Sequence, residues 1–62
     1  MKLKYYLNKS GITQSELARL LGVTRFRVNN WVQGKSYPSA KYIPMISAIL
    51  NIPIDLLFFS ED

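Results

Sequence analysis

Thr13-Gln14-Ser15-Glu16-Leu17-Ala18-Arg19-Leu20-Leu21-Gly22-Val23-Thr24-Arg25-Phe26-Arg27-Val28-Asn29-Asn30-Trp31-Val32-Gln33-Gly34 holds two helix starts and two helix stops in one short run. Thr13 and Glu16 form the Thr-x-x-Glu pattern of a capping box, in which each side chain accepts the other residue's backbone N–H. Ile12 and Leu17 stand at the staple positions that fix how the chain enters such a helix. Gly22 is suited to the left-handed conformation that ends a helix. Thr24 then repeats the cap and Gly34 repeats the stop. The pattern predicts helices over 14–21 and about 25–33. Leu17, Ala18, Leu20 and Leu21 are expected on the apolar side of the first, and Val28, Trp31 and Val32 face inward from the second. Ala18 is small where the two must approach closely. Arg25, Phe26, Arg27, Asn29 and Asn30 are left on the outer face of the second helix.

The flanking chain reads as helix too. Leu3, Tyr6 and Leu7 lie at the spacing of one face, so a helix is expected over about 2–9, ending at Gly11. Residues 35–42 form a polar, basic loop, with 39–42 a candidate for a separate turn. Pro44 would delete a hydrogen bond inside a helix but is harmless in its first turn, so the next helix is placed from 43–44 to about 51. Its apolar residues are Met45, Ile46, Ile49 and Leu50. A last short helix follows Pro53, with Asp55 near its positive end and Ile54, Leu57 and Phe58 as core contacts. The expected architecture is all-α: five short helices in a single domain over 1–62.

Composition narrows the chemistry. With 62 residues, 48% of them apolar, there is one core and no room for a deep cavity beside it. Cys and His are absent, which excludes disulfides, thiolate zinc sites and imidazole bases. The four acids are dispersed, with no metal or paired-carboxylate spacing. An enzyme is not expected, nor a cofactor. No run approaches the roughly 18 apolar residues of a membrane span, and the N-terminus lacks the apolar run of a signal peptide. The chain therefore reads as soluble and cytoplasmic, and its compact start and acidic stop favour a complete small protein. Charge is divided: residues 1–54 carry all eight Lys and Arg with Glu16 alone against them, net +7, while Asp55, Glu61 and Asp62 give the end −3. A basic body suits a polyanion partner, although the same charge can serve solubility alone. On the outer face of the second helix, Arg25 can grip guanine O6 and N7, Asn30 adenine N6 and N7, and Phe26 can pack on a thymine methyl. Arg27, Lys35, and Lys9 or Lys41, can neutralise phosphates.

The run from Gly11 to Thr24, the pattern Val28-x-x-Trp31-x-x-Gly34-Lys35 and the stretch from Pro44 to Leu57 resemble the Cro and phage-repressor helix-turn-helix family across about residues 2–58. The resemblance implies a λ-repressor-like fold and a sequence-specific double-stranded DNA-binding regulator, a repressor by family habit, reading the major groove with the helix at 25–33. It implies base contacts by Arg25, Phe26 and Asn30, and backbone contacts by Gln14, Thr24, Arg27, Gly34 and Lys35. Phe26 departs from the family, where a polar residue is commoner, and Trp31 replaces a smaller aliphatic. Such proteins act as homodimers on near-palindromic operators with half-sites about 34 Å apart. The apolar end makes Leu56, Phe58 and Phe59 candidates for the dimer contact, or else for closing the monomer core. The rival expectation is a protein-interaction role on the same fold, such as an antitoxin or adaptor, in which the 54–59 segment would matter more than the second motif helix. RNA is disfavoured because the aromatics form no stacking sheet.

Overall fold

Local signals set the helix boundaries. In the computed structural model, which describes the backbone of residues 1–59 and the side chains of residues 1–57, α1 spans Leu3–Ser10, α2 Gln14–Leu21, α3 Arg25–Val32, α4 Ile43–Leu50 and α5 Ile54–Phe59. A single 3-10 turn, Ala40–Tyr42, precedes α4, and there is no strand among the described residues. The capping box is formed in full. The Glu16 N–H donates to Thr13 Oγ1 at 3.1 Å, and the Thr13 N–H donates to Glu16 Oε1 at 3.1 Å. Thr24 caps α3 by accepting the Arg27 N–H at 3.2 Å. Between them Gly22 adopts φ 73°, and the Val23 N–H reaches back to the Ala18 carbonyl at 3.0 Å. This positive φ turns the chain sharply and leaves only Gly22, Val23 and Thr24 between the helices, so α3 crosses α2 at once.

The core is a single cluster fed by every helix: Leu3 and Leu7; Leu17, Ala18 and Leu21; Val28 and Trp31; Ile46 and Leu50; and Leu57. Tyr42 joins it from the 3-10 turn, its ring 5.8 Å from that of Trp31. The ends are tied together: the Lys2 N–H donates to the Leu57 carbonyl at 3.0 Å. Lys2 itself, at φ −98° and ψ 37°, lies outside the helical region, so α1 starts at Leu3 rather than 2. At the other end of α3, Gln33 has ψ −2°, so the helix closes one residue before the expected 33. At the end of α4, Asn51 supplies the left-handed cap at φ 56°, and the Ser47 hydroxyl donates to the Ile52 carbonyl.

Three apolar expectations fail for one reason. Leu20 is 48% exposed, because Leu17, Ala18 and Leu21 define the buried stripe of α2 and Leu20 lies about 60° beyond its edge. Met45 is likewise off the Ile46–Leu50 stripe of α4, and Ile54, in the first turn of α5, lies at the edge of the face that this helix buries through Leu57; both are exposed. The Phe58 side chain lies outside the described residues. The loop at 35–42 is less polar in space than in sequence, since Pro38 and Tyr42 are both buried and fold it onto the body.

Candidate nucleic-acid interface

α3 presents its outward face cleanly. Val28 and Trp31 turn into the core, which leaves Phe26, Asn30 and Gln33 at successive-turn spacing on the opposite side, with Arg25 on the adjoining edge. Arg25 and Gln33 are exposed and Asn30 is half-buried. Phe26 is 72% exposed, so it is no core residue but a large apolar group held out from the surface. Gln33 was not singled out from sequence; its signal is the i, i+4, i+7 spacing with Phe26 and Asn30.

Two walls flank this face. On one side is the start of α2. The Thr13–Glu16 capping box leaves the first-turn amides of Gln14 and Ser15 without a helical acceptor, as at any α-helix start. Gln14 is half-buried, its Oε1 enclosed and without a hydrogen-bond partner. It borders a hollow of about 310 Å³ whose lining includes Lys4, Asn8, Thr13 and Val32. Lys4 and Asn8, at i, i+4 spacing next to the buried Leu3 and Leu7, are polar α1 residues that line this hollow with Gln14. Lys9, the α1 cation that sequence suggested for phosphates, stands elsewhere, its Nζ 5.8 Å from the Tyr5 ring, which Lys2 Nζ also approaches at 5.3 Å.

On the other side are Arg27 and the loop after α3. Gly34 has φ 77°, with open space where a Cβ would stand. Its N–H donates to the Trp31 carbonyl at 3.2 Å and the Lys35 N–H to the Asn30 carbonyl at 2.9 Å. Both amides are thus occupied in closing the helix, and what this bend offers outward is an open glycine surface and the exposed Lys35 side chain. Thr24 is exposed; its hydroxyl oxygen accepts the Arg27 N–H and keeps its own hydrogen to donate. Arg27 is exposed, yet its guanidinium carbon lies 5.8 Å from the Trp31 ring and 5.7 Å from the Tyr42 ring. Lys41 Nζ is 5.1 Å from that same Tyr42 ring.

Every predicted base-facing or backbone-facing residue, Gln14, Thr24, Arg25, Phe26, Arg27, Asn30, Gly34 and Lys35, is thus gathered on α3 and its two flanks. Leu56 is not among them. It is 42% exposed on α5 and borders a separate hollow with Tyr6, Lys9 and Pro53. The Phe58 and Phe59 side chains lie outside the described residues. Among the described residues, no three His, Cys, Asp or Glu side chains are grouped to hold a metal, and no helix is long and apolar enough to cross a membrane.

Two capped helices crossed at a glycine turn, with a polar and basic outer face, define a helix-turn-helix of the DNA-binding kind. The family model described as Helix-turn-helix matches residues 3–57, and the chain belongs to that family, in its Cro and phage-repressor form, whose members are DNA-binding transcription regulators. It is 38% identical over 61 residues to an uncharacterized HTH-type transcriptional regulator of Methanocaldococcus jannaschii, covering 98% of this chain and 92% of that protein. A similar uncharacterized regulator of Archaeoglobus fulgidus is 33% identical, covered to 87%. The HTH-type transcriptional activator BcrR of Enterococcus faecalis is also 33% identical, but the chain spans only 30% of its length. No solved structure matches the chain significantly.

Proposed function

We propose that this chain is a sequence-specific repressor that binds a near-palindromic operator as a homodimer and reads the major groove with α3. The observation that carries the reading is the outer face of α3, where Arg25, Phe26 and Asn30 stand between two walls able to hold phosphates. Arg25 makes a bidentate contact to guanine, Asn30 pairs with an adenine edge, and Phe26 packs on a thymine methyl. Each good bidentate pair discriminates by roughly 1–3 kcal/mol. Gln14 and the free amides at the start of α2 hold a phosphate on one strand, where the positive end of the helix assists. Thr24, Arg27, the open surface of Gly34 and Lys35 hold the backbone on the other flank. Gln33 extends the reading face, and Lys4 with Asn8 extends the first wall.

Binding at the operator excludes polymerase. The activator similar to this chain is matched over only 30% of its length, so its sign of regulation does not carry over. Selection of bound duplexes from a random pool tests the whole reading. The expected product is an inverted repeat with half-site centres about one helical turn apart. Enrichment of no sequence over the pool, at low as well as moderate salt, would end it. Capture of a protein partner that is lost on changing Leu56, with no DNA affinity at low salt, would favour the antitoxin or adaptor alternative.

A further inference from the structure

Tyr42 is a buried ring with two cations on it. Arg27 approaches from α3 at 5.7 Å and Lys41 from the 3-10 turn at 5.1 Å. The Arg27 guanidinium is shared with Trp31, whose own ring is tilted at 41° to that of Tyr42 and 5.8 Å away. Like charges gathered at one ring repel, and such an arrangement is stabilised by the negative face of the ring and by an anion on the solvent side. The acids at residues 1–59 are few. Glu16 is engaged in its capping box at the start of α2, and Asp55 stands at the start of α5. Both cations are exposed, while the ring beneath them is fixed in the core.

From this geometry we propose that Tyr42 is a positioning residue, the platform of a two-cation clamp in which Arg27 and Lys41 together hold phosphodiesters of one DNA strand beside α3. The proposal rests on the DNA-binding reading and deepens it. The platform joins two elements that otherwise meet the DNA independently. Arg27 rides on the reading helix, and Lys41 rides on the turn after the loop. Resting both on one buried ring sets the spacing between them before DNA arrives, so less side-chain freedom is lost on binding. Trp31 supplies the second surface that keeps Arg27 on the platform.

The test separates the ring's charge distribution from its shape. Tyr42→Phe serves as the reference, and progressively fluorinated phenylalanines at 42 then weaken the negative face at nearly constant volume. Binding to a selected duplex is measured across a salt series, with helicity checked by circular dichroism. Affinity is expected to fall stepwise with fluorination, by about two- to fivefold for each cation released. Arg27→Gln and Lys41→Gln are each expected to reduce the slope of log K against log salt by about 0.9. A flat fluorination series, or charge removals that leave the slope unaltered, would overturn the clamp. If the unmodified chain binds no duplex, the clamp falls together with the regulator reading; if it binds while the series stays level, the clamp falls alone.

Discussion

Arg25 and Lys35 carry the same charge and are both exposed, yet the proposed reading gives them different work. Arg25 opens α3 on the edge of its outer face, where a planar fork with five donors can match a base edge. Lys35 follows the bend at Gly34, with its backbone N–H already held by the Asn30 carbonyl, and offers a point charge on a flexible stem. Arg25→Ala is therefore expected to lower operator affinity by about 1–3 kcal/mol and to relax preference at a single base pair. Lys35→Ala should weaken binding to all duplexes alike and reduce the salt slope by about one. Competition titrations against a panel of single-base operator variants read both. If the two substitutions give the same profile, the division between base-reading and backbone-holding residues is wrong.

At the scale of the element, the two caps are similar in kind and unequal in strength. Thr13 takes part in a reciprocal pair of bonds with Glu16, whereas Thr24 makes a single cap bond to the Arg27 N–H. Losing a Thr cap costs about 0.5–2 kcal/mol. Thr13→Ala is expected at the upper part of that range, since it removes both the bond that the hydroxyl accepts from the Glu16 N–H and the one that it donates to Glu16 Oε1. A melting temperature falls by about 4–8 °C per kcal/mol in a domain of this size. Thr24→Ala should fall less in melting temperature and more in DNA affinity, because its hydroxyl also faces the flank beside Arg25. Melting curves and titrations on the same two samples would expose a reversed order. Caps of this kind were legible because they are local: Thr13, Glu16, Gly22 and Thr24 announce α2, the turn and the start of α3 within a few residues of chain. Phase was less legible. Leu20, Met45 and Ile54 are as apolar as their buried neighbours, and only the direction of the stripe, fixed by tertiary packing, turns them outward. Contacts between elements far apart in the chain were not legible. Arg27 and Trp31 are neighbours by their i, i+4 spacing, but nothing in the sequence says that the loop folds back to bring the Tyr42 ring to the same arginine. The same holds for Lys4 and Lys9, of which the packing of α1 puts Lys4 on the hollow that Gln14 borders and Lys9 at the Tyr5 ring.

At the scale of the whole molecule, area decides. A single module of this class buries roughly 600–1,000 Å² on DNA, toward the low end for specific recognition. A second copy bound across a two-fold axis doubles the contact, and the symmetry of an inverted repeat then mirrors that of the protein. The surface available for such pairing includes Leu56, which α5 leaves 42% exposed beside Tyr6 and Pro53, away from the α3 face. Since Leu57 and not Leu56 enters the core, Leu56→Asp should leave the melting temperature close to that of the unmodified chain. It should also reduce affinity for a full inverted repeat toward that for an isolated half-site, while half-site binding itself persists. Sedimentation of the protein with a palindromic duplex gives the stoichiometry directly. Two chains per duplex for the unmodified protein, with loss of cooperative loading in Leu56→Asp, is the expected pair of results. One chain per palindrome at saturation would remove the dimer, and cooperative loading that survives the substitution would move its interface away from Leu56.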